Sequence, residues 1–237
     1  MLLSIMKIMK HPKRRSTFYF LVVAPVLVII AVGLVLVTAQ RGMFDRYATR
    51  VPSFTEAVYD PDAKTGNYYG EIVSVPALSM EIPKNPPVLG VSAGERWIEV
   101  DLSEQKIRAW EGNALFLESL VSTGMPWWPT PQGEFRVWTK VRATKMEGGS
   151  GKYYYNLPNV PYVMFFENDK VPGWRGYGLH GTYWHSDFGR VHSHGCVNLP
   201  TPIAEQLYYW SAPLLPSGKS SAMADAGNVG TRIVIHE

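Results

Sequence analysis

The chain has 237 residues, 46% of them hydrophobic and 18% charged, enough for one well-buried domain with appendages but short for two large ones. Its formal charge is +3, and Lys7, Lys10, Lys13, Arg14 and Arg15 crowd the first fifteen residues. The remainder is therefore close to neutral, which excludes the basic surface of a nucleic-acid-binding protein.

From Phe18 to Val37 the chain carries no charged residue, and about 20 such residues match the hydrocarbon core of a bilayer. The segment 18–38 is expected to be a transmembrane anchor, because the apolar part of a signal peptide is usually only about 7–15 residues long. Val37-Thr38-Ala39 leaves a small-residue cleavage site as the other possibility. The basic tail, residues 1–17, should stay cytoplasmic and the rest should be extracytoplasmic. The expected location is thus the cell membrane, with a single pass and a lipid partner at residues 18–38.

Residues 39–93 include Pro52, Pro61, Pro76, Pro83, Pro86 and Pro87, a composition that suits an irregular extracytoplasmic spacer with one short strand at 71–75. After residue 94 the pattern changes. Trp97–Leu102 and Lys106–Trp110 alternate apolar and polar residues around a polar break and predict a β-hairpin. Further strands are expected at 115–122, 133–139, 163–167, 176–180 and 232–236, a mainly β, mainly antiparallel pattern. One helix is expected at 202–210, with Thr201 as cap, Pro202 in the first turn, and Ile203, Leu207 and Trp210 on one face.

Cys196 is the chain's one cysteine. Exported proteins usually pair their cysteines in disulfides, so a lone exported thiol is either a small core residue or a reactive group. Its neighbourhood favours reactivity. Four of the six histidines, His180, His185, His192 and His194, lie just before it. A thiol attacks acyl carbons as the thiolate and needs an imidazole to take its proton. His180 can reach Cys196 by chain reversal across the Phe188–Arg190 turn, whereas His194, two residues away in sequence, is poorly aimed for it. Gly195 lets the backbone turn sharply and present its amides to an oxyanion.

His180-Gly181-Thr182 followed by Ser193-His194-Gly195-Cys196-Val197-Asn198 resembles the signature of the L,D-transpeptidase (YkuD-like) family. Ser122-Thr123-Gly124 and Thr130-Pro131-Gln132-Gly133-Glu134-Phe135 resemble its second motif, and the likeness extends over residues 94–237. Read by itself, Thr130–Gly133 is a tight turn that starts a strand.

The resemblance implies a YkuD-like β-sandwich catalytic domain with one or two short helices. It also implies a cysteine-dependent acyltransferase without cofactor or metal. Cys196 would attack a peptidoglycan stem tetrapeptide at residue 3 and release D-alanine, with His180 as base, held by a backbone carbonyl such as that of Gly181. Ser193, His194 and Gly195 would support the nucleophile and the oxyanion. Gly181, Trp184, Tyr162 and Asn198 are candidates for substrate binding, although Asn198 stands where many members have arginine. Carbapenem-type inhibitors are expected to acylate the thiol. The acyl group would pass to a stem amine in a 3-3 cross-link, to a protein amine in anchoring, or to water in an L,D-carboxypeptidase reaction.

Three readings compete. His180, His185, His194 and Cys196 offer zinc's preferred ligand types, but without a recognisable spacing. A papain-type protease has the opposite order of Cys and His. A silent wall-binding module would retain the fold without the chemistry.

Overall fold

The computed structural model describes Leu27 and residues 59–79 and 94–237. Apart from Leu27, the expected tail and anchor at 1–38 lie outside the described residues, among which no helix is long and apolar enough to cross a membrane. The elements below all belong to one compact unit, residues 47–237.

Two strands precede the expected domain boundary, β1 (Thr65–Tyr68) and β2 (Glu71–Ser74). They are followed by β3 (Arg96–Asp101), β4 (Lys106–Glu111), β5 (Ala114–Leu120), β6 (Gly133–Gly148), β7 (Tyr155–Glu167), β8 (Gly178–Thr182), β9 (Val197–Pro200), the helix α1 (Thr201–Trp210), β10 (Ser221–Met223) and β11 (Arg232–His236). The strands join in one continuous network in the order β2-β1-β7-β6-β11-β3-β4-β5, with β10 on β6, and with β8 on β7 and β9. Most pairs are antiparallel, as the sequence pattern predicts, but β11 runs parallel to β3 and β8 to β9.

Strict alternation builds the main core. Ile98 and Val100 of β3, Ile107 and Ala109 of β4, and Ile233 and Ile235 of β11 point the same way and are buried. Each fully buried aliphatic side chain of this kind contributes roughly 1.5–3 kcal/mol. Leu179 of β8, Val197 and Leu199 of β9, and Ala204, Leu207, Tyr208 and Trp210 of α1 complete this cluster. The two strands that carry His180 and the residue after Cys196 are thereby fixed on a rigid floor.

Thr201 does not cap α1. It is the first helical residue, and its Oγ1 donates to the Thr182 carbonyl at 3.3 Å. Pro202 follows in the first turn, where the missing N–H costs nothing because that donor has no partner within the helix.

β6 and β7 extend well past the segments that alternation marks. Residues 139–144 are buried on both faces, so they include polar side chains that are satisfied internally and break the period-2 signal. Thr139 Oγ1 donates to the Ala222 carbonyl at 3.1 Å, and Lys140 Nζ to the carbonyls of Tyr208 and Ser211 at 2.5 and 2.7 Å. In β7, Pro158 and Pro161 read as breakers, yet the strand passes through them with Asn159 and Tyr162 at positive φ. Register shifts between Val137 and Thr139 and between Thr144 and Met146 mark bulges, which bend and twist long strands. The far ends of β6 and β7 enclose a second cluster of Val141, Met146, Tyr155, Leu157, Val160, Val163 and Phe165.

The short strand expected at 71–75 within the spacer is present as β2, and β1 at 65–68, which the sequence pattern does not mark, joins it. β1 pairs with the edge of β7 through Asn67↔Asn156 and Tyr68↔Tyr155, so this hairpin is part of the sheet. β1 is short and its one buried position is Gly66, so it left too weak a pattern to stand out among prolines.

Candidate active site

The loop before β9 brings the expected nucleophile into place. Gly195 has φ +112°, and a Cβ there would lie 2.5 Å from the Tyr177 ring. Only glycine fits both the backbone and the space. Ser193 braces the turn, with its Oγ donating to the Cys196 carbonyl at 2.5 Å and accepting from the Gly195 N–H at 3.0 Å.

The second sequence motif supports the same loop from below. The Ser193 and His192 amides donate to the Thr123 carbonyl at 3.0 and 2.9 Å, Met125 N–H donates to the Ser193 carbonyl at 2.9 Å, and Ser122 and Asn198 exchange backbone bonds. Thr130 Oγ1 accepts from the Gly124 N–H at 2.9 Å. The Thr130–Gly133 turn thus starts β6 and also secures this support.

His180 sits on β8 opposite Asn198 of β9 and is buried. Its Nδ1 lies 3.1 Å from the Gly181 carbonyl. Because a carbonyl only accepts, Nδ1 carries the proton and Nε2 keeps its lone pair. Burial pushes this imidazole down to about 4 and the Cys196 thiol up to about 11. At neutral pH the pair rests as thiol and neutral imidazole. Cys196, 8% exposed, turns Sγ toward the Gly176 carbonyl at 3.6 Å.

Cys196 and His180 line one cavity of about 30 Å³ together with Ser193, His194, Trp184 and Asn198. Six of the sequence-predicted site residues are therefore brought together. Three others, Tyr162, Gly181 and Gly195, are not part of the lining. Tyr162 packs under α1, where its hydroxyl donates to Glu205 Oε1 at 2.6 Å and its ring lies beside Tyr208. Gly181 is wedged where a Cβ would meet the Pro161 ring at 2.9 Å, and its carbonyl holds His180. Tyr162 is a core residue and Gly181 a positioning one. The expected oxyanion role of the Gly195 amide also needs qualification, since Ser193 Oγ already occupies it.

His194 and His185 have partners that the sequence did not indicate. His194 lies with its ring 3.9 Å from that of Trp128, and its Nδ1 is 3.2 Å from the Tyr69 hydroxyl. The Asn198 amide donates to His185 Nε2 at 3.0 Å, and His185 stacks on His192, which pairs with Asp187 at 3.1 Å. Burial pushes His185 and His194 down to about 4. Among the described residues, no group of three or more His, Cys, Asp or Glu side chains converges as metal ligands must.

Tyr68, Tyr69, Met146, Tyr155 and Leu157 also line the cavity. None stands out in the sequence, because Tyr68 and Tyr69 come from the β1–β2 hairpin and Met146, Tyr155 and Leu157 from the facing ends of β6 and β7, all distant in the chain from Cys196.

A family model described as YkuD, L,D-transpeptidase catalytic domain, matches residues 95–235. No curated protein matches the chain. Solved structures similar to it include an L,D-transpeptidase from Mycobacterium smegmatis, at 21% identity over 60% of this chain and 59% of that one, with a TM-score of 0.48. An Enterococcus faecium L,D-transpeptidase mutant shares 26% identity over 60% of this chain and 50% of that one, with a TM-score of 0.45. The L,D-transpeptidase LdtMt1 in complex with imipenem shares 21% over 60% and 58%, with a TM-score of 0.46. The chain thus spans about three fifths of the first relative's length. With more than half of its residues matched by the family model, and both motifs inside the matched segment, the chain belongs to the family of YkuD L,D-transpeptidase catalytic domains.

Proposed function

We propose that this protein is a membrane-anchored peptidoglycan L,D-transpeptidase whose catalytic domain works outside the cytoplasmic membrane. The observation that carries the reading is the shared cavity of Cys196 and His180. A lone thiol and a carbonyl-oriented imidazole face the same space beneath a turn that only Gly195 can form.

In the proposed reaction, His180 Nε2 takes the proton from Cys196 Sγ as the sulfur attacks the carbonyl carbon of stem residue 3. The backbone amide of Cys196 receives the oxyanion, joined by that of Gly195 when it exchanges Ser193 Oγ for the charged oxygen. The intermediate collapses by breaking the bond to D-alanine, whose amine departs with the proton held by His180. An acceptor amine then attacks the thioester, loses a proton to His180, and the Cys196 thiol is restored. Water as acceptor turns the same enzyme into a carboxypeptidase.

The low imidazole and high thiol values fit a site that forms its ion pair only when substrate binds. Proton transfer then accompanies attack, and the thiol stays protected from stray electrophiles beforehand. The anchor rests on the uncharged run Phe18–Val37 and the basic residues before it.

The test is incubation of the full chain with a carbapenem, and separately with purified disaccharide tetrapeptide plus an acceptor stem, followed by intact mass analysis. A covalent adduct on Cys196 and release of D-alanine are expected. A chain that gains no mass and releases no D-alanine contradicts the reading.

A further inference from the structure

The hairpin β1–β2 lies outside the residues that the family model matches, yet it supplies two side chains to the cavity that holds Cys196. Tyr68 and Tyr69 stack with centroids 4.0 Å apart. Their hydroxyls donate to the His192 carbonyl at 3.2 and 3.1 Å, and the Tyr69 hydroxyl also lies 3.2 Å from His194 Nδ1. Since both hydroxyls donate to His192, the Nδ1–H of His194 donates to Tyr69. These contacts join the hairpin tip to the loop that presents the thiol.

The space left above Cys196 is about 30 Å³, room for about two water molecules. Sites that take small organic ligands usually measure ~300–1,000 Å³. With the hairpin seated, Tyr68 and Tyr69 help to confine the space beside Sγ.

The strand pairing that seats the hairpin is short. β1 meets β7 at the Asn67↔Asn156 and Tyr68↔Tyr155 pairs, supplemented by the Tyr69 N–H on the Tyr154 carbonyl at 3.0 Å. Among the described residues β2 is the edge of the sheet, and its Ile72 is 71% exposed. Asp60, before β1, is tied to Asn159 by two hydrogen bonds, and Tyr68 and Val73 pack on the second cluster. The hairpin is thus held at its base while its edge pairing is short, and short edge pairings open more easily than the core.

The turn adds a further sign. Tyr69 and Gly70 form a two-residue connection with φ +55° and +89°, a geometry that normally selects Asn-Gly. Tyrosine in this conformation is a backbone outlier, and such outliers concentrate at functional sites. Here the conformation directs the ring onto His194.

We propose that the β1–β2 hairpin is a gate over the active-site thiol. Seated on β7 it closes the pocket, and lifted it admits the acyl donor, with Tyr68 and Tyr69 setting the opening. The inference stands independently of which acyl donor enters.

The test follows alkylation of Cys196 by iodoacetamide in the full chain, read by mass on the peptide that carries this residue. The Tyr68→Ala/Tyr69→Ala variant is expected to react at least tenfold faster than the wild type. The Asn67→Cys/Asn156→Cys variant places facing thiols across β1 and β7. Its oxidised, cross-linked form is expected to react at least tenfold more slowly than its reduced form. An unchanged or lower rate in the folded alanine variant, or equal rates in the oxidised and reduced cross-link variant, overturns the gate. If the alanine variant loses its cooperative thermal transition, the cross-link comparison alone decides. Alkylation reports the exposure and ionisation of the thiol and needs no acyl donor. A chain whose alkylation follows the hairpin but which forms no carbapenem adduct would therefore contradict the proposed function and leave the gate standing.

Discussion

His180 Nδ1 lies 3.1 Å from the carbonyl of its own neighbour, Gly181, so one backbone bond sets both the tautomer and the direction of the proposed base. Nε2 is left to take the proton of Cys196. His180→Ala is expected to slow carbapenem acylation by about 10²–10⁴-fold, the usual range for losing a general base. Cys196→Ala is expected to abolish it. Stopped-flow or timed mass measurements check both, and unchanged acylation in the His180 variant would remove that residue from its role.

Gly195→Ala should be severe although it adds one methyl group. The new Cβ meets Tyr177 at 2.5 Å in a backbone with φ +112°, so the nucleophile turn must move. Strain of this kind costs about 1–3 kcal/mol, and sub-ångström displacement of a nucleophile costs more in rate than in stability. The expected result is acylation lowered at least a hundredfold with a thermal midpoint shifted by only a few degrees. Near wild-type acylation would contradict the geometry.

Acid should destabilise the fold before the carboxylates titrate. His180, His185 and His194 are pushed down to about 4 by burial, against about 6.5 in the unfolded chain. Between these values the unfolded chain binds more protons, so stability falls as the pH drops from about 6.5 toward 4. His236 works in the opposite sense, because the Glu237 carbonyl and Glu99 hold it above its usual value, but it is largely exposed and its effect is small. The thermal midpoint should fall between pH 7 and pH 4.5 by more than the ~2–4 °C that 1 kcal/mol represents for a domain of this size. His180→Gln should flatten the profile. A midpoint independent of pH over this range would refute the linkage.

Lys140→Met should destabilise without touching the site. Lys140 is buried, pushed down to about 7 by its surroundings, and donates to the Tyr208 and Ser211 carbonyls at the end of α1. Methionine keeps the stem but strands two buried acceptors, at about 1–3 kcal/mol each. A urea midpoint lowered by an amount equivalent to about 2–4 kcal/mol is expected, with the m-value unchanged. An unaltered midpoint would show that solvent satisfies those carbonyls.

Much of the fold is legible residue by residue. β3, β4 and β11 alternate cleanly because one face meets the core and the other meets solvent. α1 shows its apolar face for the same reason. The pattern fails where both faces are buried. Lys140, Arg142 and Thr144 look like surface residues in sequence, yet they lie inside β6, where Lys140 reaches the Tyr208 and Ser211 carbonyls and Arg142 the Tyr209 hydroxyl. Tyr162 shows the converse: an aromatic residue near the motif suggests a substrate wall, but Glu205 and Tyr208 of α1 claim it.

The sequence by itself determined the chemistry on offer. One cysteine follows a glycine, a histidine precedes it by a strand and a turn, and the motif order identifies the family, since local backbone demands and residue types are written in consecutive positions. Tertiary structure alone decided what surrounds that chemistry. Burial favours the neutral thiol and imidazole, Ser193 takes the Gly195 amide, and Tyr68 and Tyr69 arrive from more than a hundred residues upstream to line the cavity. Desolvation and long-range strand pairing depend on which segments meet in space, and no run of neighbouring residues encodes that meeting.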